Sequence, residues 1–150
     1  MELKIPPLAL VILTAGLMAL AAWGLTTLTY PLPGRAFIAG GLTAVGAVVC
    51  ILGVASFRRA KTTVNPMTPD AASSLVVVGV YRCTRNPMSL GFLLMLCGLA
   101  CFLSNAVAAA LLPVFILHMT RFQIRPEERA LEARFGADYV AYKGRVRRWI

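Results

Sequence analysis

The sequence predicts an all-α membrane protein: about four transmembrane helices, the last two a tight hairpin, and a cytoplasmic amphipathic C-terminal helix. Three observations carry this. Hydrophobic residues make up 59% of the 150, with a mean hydropathy of +0.76, outside the usual soluble range. The apolar residues gather into four runs separated by turn-forming residues or clusters of charge. Nearly all the Lys and Arg residues fall where four crossings would place them on one side of the bilayer.

Residues 5–30 carry no charge, and about 20 apolar residues suffice to cross the hydrocarbon core as a helix. The run is longer than the ~7–15-residue apolar core of a cleaved leader, so it reads as a first span. Pro31-Leu-Pro-Gly34 breaks it. The second span, 36–57, holds Gly40, Gly41, Gly46 and Gly53, small residues that let helices approach closely, and Arg58, Arg59 and Lys61 end it. Residues 62–78, with Pro66, Pro69, Asp70 and the β-branched Leu75-Val-Val-Val78, read as a structured loop on or dipping into the membrane.

The third span, 87–103, and the fourth, 106–122, are joined only by Ser104-Asn105, which makes a hairpin, and Pro113 is placed to kink the fourth. Asn86-Pro87 marks the start of the third, because proline restricts the residue before it and is tolerated in a first helical turn. The C-terminal segment, 126–148, opens with Pro126 at a first helical position and Glu127 and Glu128 at the positive end of the dipole. Leu131 and Phe135 give it an apolar edge and Gly136 a C-terminal cap.

Charge fixes the orientation. Of fifteen Lys and Arg, five lie between Arg58 and Arg85, eight follow Met119, Lys4 precedes the first span and only Arg35 falls in the opposite loop. The positive-inside rule then makes both termini cytoplasmic, in what reads as a bacterial inner membrane, with the whole chain a single integral membrane domain. This distribution accounts for the net charge of +9 without nucleic acid. Cys50, Cys83, Cys97 and Cys101 follow no zinc-ligand spacing and read as structural, so no metal is expected. His118 sits in the fourth apolar run as a packed residue near the helix end.

Two polar motifs flank the hairpin on the same side. The first is Gly79-x-Tyr81-Arg82-x-x-Arg85-Asn86-Pro87-Met88-x-x-Gly91; the second is Glu127-Glu128-x-x-Leu131-x-x-x-Phe135-Gly136-x-x-Tyr139-x-x-Tyr142. A hairpin brings its ends together, so Arg85 and Asn86 should lie near Glu127 and Glu128. Arginine offers a planar fork of donors suited to carboxylates and phosphates, and glutamates beside it would suit a zwitterionic ligand.

In these two motifs, over roughly residues 62–148, the chain resembles the isoprenylcysteine carboxyl methyltransferase and phospholipid methyltransferase-like integral membrane enzymes. The resemblance implies methyl transfer from S-adenosylmethionine to a lipidic or small hydrophobic acceptor: a carboxylate, an amine or a thiol. It implies a cofactor pocket built by Tyr81, Arg85, Asn86, Pro87, Met88 and Gly91, with Glu127 and Glu128 on the cofactor's polar groups and Tyr139 and Tyr142 closing over it. A sulfonium methyl is already electrophilic, so positioning and exclusion of water do most of the work. A carboxylate or thiolate acceptor needs no base; for an amine, Glu128 is the candidate, and Arg121 or Arg125 would orient an anionic acceptor.

Two positions depart from the family pattern. Asn86 stands where His is often found and cannot titrate near neutral pH, and Ser89 stands where Tyr is common. Three other readings compete. A small four-helix transporter of cations would want an acidic residue inside the bundle, and no span contains Asp or Glu. A non-catalytic membrane scaffold would have no use for the acidic and aromatic C-terminal pattern. A nicotinamide-dependent lipid reductase of similar architecture would differ in the cofactor it binds.

Overall fold

The computed structural model describes residues 6–60 and 75–150. Lys4, Lys61 and most of the expected loop at 62–78 lie outside the described residues. Among the described residues six α-helices follow in order: α1 Pro7–Gly24, α2 Arg35–Arg59, α3 Pro87–Leu103, α4 Ala106–Met119, α5 Arg125–Phe135 and α6 Ala137–Arg145. No strand occurs among the described residues. Helices α1 and α2 are long and apolar enough to cross a membrane, as is the continuous helical run Ala106–Phe135, and α3 is a shorter apolar helix beside them. The protein is an all-α membrane protein. Large apolar side chains such as Leu13, Phe37, Ile51 and Leu117 point outward, as they must where the solvent is lipid.

The tightest packing is between α2 and α3, and glycine is the cause. A Cβ on Gly98 would sit 2.7 Å from Thr43 Oγ1 and 2.8 Å from the Ala39 carbonyl, and one on Gly46 would sit 2.6 Å from the Gly91 carbonyl. A Cβ on Gly91 would collide with Cys50 Sγ. Two helices without a hydrophobic driving force between them gain association from this close backbone approach. Helix α1 lies against α3 and α4, and Met18, Leu96, Ala100, Ala108, Phe115, Met119 and Ile124 fill the common core.

The hairpin tip between α3 and α4 is fixed by two residues. Ser104 takes a left-handed conformation, φ 48°, which reverses the chain. Asn105 caps α4, its Oδ1 accepting from the Val107 and Ala108 amides at 3.0 and 3.2 Å. The same side chain donates Nδ2 to the Leu25 carbonyl at 2.9 Å, and the Tyr30 amide donates to the Ser104 carbonyl at 2.8 Å. The loop after α1 is thereby tied to the tip.

Two expectations change. The first helix ends at Gly24 and continues as a short 3-10 turn, Thr26–Leu28, rather than reaching Tyr30. The break expected before Pro126 is absent: Thr120–Ile124 form a π-turn that carries α4 directly into α5. Pro126 fits there because the residue has no N–H to place and sits at the start of the renewed α register.

Candidate functional site

The polar ends of the hairpin meet the C-terminal helices where α3 begins. A 3-10 turn, Gly79–Arg82, leads into Thr84-Arg85-Asn86 and then α3. Gly79 enters this turn at φ 62°, a conformation that favours glycine. At the other end of the chain, Gly136 (φ 52°) separates α5 from α6 and folds α6 back so that Tyr139 and Tyr142 turn inward. Both tyrosines are buried, with Val146, against Leu75, Val77, Leu131 and Phe135. The Tyr142 hydroxyl donates to the Tyr81 carbonyl at 2.7 Å, and the Tyr81 ring meets Phe57 edge-on at 5.3 Å.

These elements enclose a narrow cavity of about 50 Å³ lined by Phe57, Leu75, Val76, Tyr81, Arg85, Asn86, Glu127, Glu128, Leu131, Tyr139 and Tyr142. Arg85 Nη2 lies 3.3 Å from Glu128 Oε1, so the two motifs do converge. Arg148 grips the same carboxylate as a fork: its Nε donates to Oε1 at 3.0 Å and its Nη2 to Oε2 at 2.6 Å. The main chain of this terminal segment is pinned as well. The Arg147 carbonyl accepts from the Arg85 amide at 3.0 Å, and the Arg148 carbonyl accepts from Asn86 Nδ2 at 2.9 Å and Thr84 Oγ1 at 3.3 Å.

Two groups in the cavity are left electrostatically unfinished. Arg85 Nε and Nη1 are buried with no hydrogen-bond partner among the described residues, an arrangement that costs free energy unless an acceptor arrives. Glu127 is the converse. Burial pushes its carboxyl up to about 7, and the neighbouring Glu128 charge adds to the rise. Burial also raises the Tyr81 and Tyr139 hydroxyls well above their ordinary range and Tyr142 to about 12, so all three are neutral donors at physiological pH. Arg148 is held further toward its charged form, chiefly by its hydrogen bonds to Glu128.

The expected site residues therefore divide. Tyr81, Arg85, Asn86, Glu127, Glu128, Tyr139 and Tyr142 line one cavity. Pro87, Met88 and Gly91 do not: Pro87 and Gly91 are buried, and all three face α2, Gly91 against Cys50 and the other two against Gly53. Their spacing after Arg85 serves helix packing. Arg121 and Arg125 are also apart from this cavity and line an open groove on the outer side of the π-turn, with Val114, Leu117, His118, Thr120 and Phe122. Glu128, the expected base, is engaged by two guanidiniums. Phe57, Leu75, Val76 and Arg148 were not singled out for the site from sequence, and only Arg148 carried a signal, as one of four basic residues in the last eight.

The fold and site define a class: a membrane helical bundle with a buried polar cavity at one end of a hairpin, closed by the C-terminal helices. Residues 35–138 match the phospholipid methyltransferase family, and the chain belongs to that family. It is similar to protein-S-isoprenylcysteine O-methyltransferase B of Arabidopsis thaliana, 30% identical over 108 residues that cover 71% of this chain and 55% of the plant protein. To protein-S-isoprenylcysteine O-methyltransferase A of the same plant it is 30% identical over 98 residues, 65% of this chain and 50% of the other. The chain thus matches about half the length of these two relatives. An uncharacterized protein of Haemophilus influenzae is 43% identical over 63 residues, 42% of this chain and all of that protein. No solved structure matches.

Proposed function

We propose that the protein transfers a methyl group from S-adenosylmethionine to a lipidic acceptor at the cytoplasmic membrane surface. One observation carries the reading: the same small cavity holds a guanidinium with two buried nitrogens that have no hydrogen-bond partner and a desolvated carboxyl, Glu127, that is ion-paired with no cation among the described residues. The amino-acid end of the cofactor, a carboxylate and an ammonium a few ångströms apart, complements both. Arg85 Nε and Nη1 would take the carboxylate and Glu127 the ammonium, while Phe57, Tyr81 and Tyr139 supply apolar and aromatic surface for the rest. When bound, the cofactor supplies an electrophilic methyl on a sulfonium sulfur.

The lining residues also bear on the acceptor. Glu128 is ion-paired twice, Glu127 would be occupied by the ammonium, and Asn86 cannot titrate. No spare base remains among them, which favours an acceptor that arrives deprotonated, a lipid-linked carboxylate, and agrees with the names of the two plant relatives.

Calorimetric titration of the detergent-purified protein with S-adenosylmethionine and S-adenosylhomocysteine tests the reading, with Arg85→Ala and Glu127→Gln alongside. Saturable binding lost or strongly weakened in both variants is expected. Absence of binding by folded wild-type protein overturns it.

A further inference from the structure

The groove on the outer face of the helical run from α4 into α5 joins two chemistries. It has a volume of about 480 Å³ and shares no lining residue with the polar cavity. At its lower end are Val114, 58% exposed, and Leu117, 70% exposed, both on the apolar part of the run. Over the next two turns or so, at about 1.5 Å per residue, come His118, Arg121, Phe122 and Arg125. The Phe122 ring stacks obliquely on His118 with centroids 4.8 Å apart, and the Arg121 guanidinium lies 5.8 Å from the same ring. Arg121 lies within the π-turn Thr120–Ile124 and Arg125 just after it, and both line the one groove.

We infer that this groove binds one anionic glycerophospholipid, its phosphate between Arg121 and Arg125 and an acyl chain lying along Leu117 and Val114. The occupant follows from charge and depth. Two guanidiniums next to exposed aliphatic side chains mark the level where a bilayer passes from phosphate to hydrocarbon. Arginine is weakly hydrated and presents a fork that matches phosphate oxygens. A soluble anion would gain nothing from Val114 and Leu117, and an apolar ligand nothing from the arginines. The lipid bound here is separate from the polar cavity, which is lined by other residues: Glu127, Glu128 and Leu131 of α5 with residues of α2, the 3-10 turn and α6.

A basic side chain near an anionic headgroup is worth about fivefold in affinity, so removing both should weaken binding by about twenty-five-fold. The test is native mass spectrometry of the full chain released from detergent, titrated with phosphatidylglycerol or phosphatidylcholine. R121Q/R125Q is compared with R58Q/R59Q, a pair of exposed arginines at the end of α2, and circular dichroism verifies helix content in each. The expected result is one tightly retained phosphatidylglycerol, little phosphatidylcholine, loss of that retention in R121Q/R125Q and its survival in R58Q/R59Q. Equal losses in both double variants would reduce the effect to general surface charge and overturn the inference. So would unaltered retention in R121Q/R125Q, or displacement of the lipid by millimolar inorganic phosphate.

Discussion

If Glu127 receives the cofactor's ammonium, affinity must depend on pH in a direction and amount that the site fixes. In the empty cavity the carboxyl sits at about 7, against an ordinary value of 4.5. A cation bound beside it would return it toward that ordinary value. Only the ionised form attracts the ammonium, so affinity follows the ionised fraction of the empty site. That fraction is about one half at pH 7 and one thirtieth at pH 5.5, which makes binding about fifteenfold tighter at pH 7. The ligand's own ammonium stays protonated across this window. The other titratable and charged groups lining the cavity with Glu127 are Arg85, which is paired with Glu128, Glu128 itself, which Arg85 and Arg148 neutralise, and the three tyrosines, all neutral here. Calorimetry at half-unit steps from pH 5.5 to 7 with wild type and Glu127→Gln is the assay. The variant should bind weakly and with a flat profile. A flat wild-type profile, or the same slope in both proteins, would refute the assignment of the ammonium to Glu127.

The same raised carboxyl has a consequence for the ligand-free protein. Between about pH 4.5 and 7 the folded state binds more protons than the unfolded one, so Tm should fall as pH rises through that window, and Glu127→Gln should remove this component. Gly98→Val should overpack the α2–α3 contact by about 1–3 kcal/mol, lowering Tm in detergent by roughly 2–12 °C, whereas Gly40→Ala, with nothing within 4 Å of the new Cβ, should be nearly silent. Asn105→Ala removes the α4 cap and the tie to Leu25 together, so a loss of about 1–3 kcal/mol by thermal unfolding is expected. Tyr142→Phe leaves the Tyr81 carbonyl without its hydroxyl donor and should lower stability by about 1–3 kcal/mol with little change in helix content.

The helices were legible in the sequence because each span is a continuous apolar run and the runs are separated by residues with a definite physical effect. Pro31 to Gly34, Arg58-Arg59 and Ser104-Asn105 all separate helices at the positions their chemistry requires. The meeting of Arg85 with Glu128 was also within reach, since a two-residue hairpin leaves its ends no choice but to be neighbours. The motif around Asn86-Pro87 divides in space. Its residues recur at a helical spacing, and that spacing serves two faces of one helix start: Arg85 and Asn86 turn toward the cavity, while Pro87, Met88 and Gly91 turn toward α2. A linear motif carries no information on which of its members pack and which bind.

The π-turn and the terminal strap escaped for a deeper reason. A π-turn differs from an α-helix by one residue of register and has no composition of its own, so Thr120–Ile124 looked like the fraying end of a span followed by a new helix. Around it, Arg121 and Arg125 line the outer groove while Glu127 and Glu128 line the cavity. Arg148 is one of several arginines in a basic tail, and nothing local distinguishes it. It is selected by partners 20 and more residues away, Glu128 through its side chain and Thr84 and Asn86 through its carbonyl. The strap closes over residues 84–86 by main-chain bonds that any residue type can make. Side-chain identity at 147–148 therefore matters only for the fork on Glu128, and that fork decides which glutamate stays available: with Glu128 neutralised by Arg85 and Arg148, the unbalanced carboxyl in the cavity is Glu127.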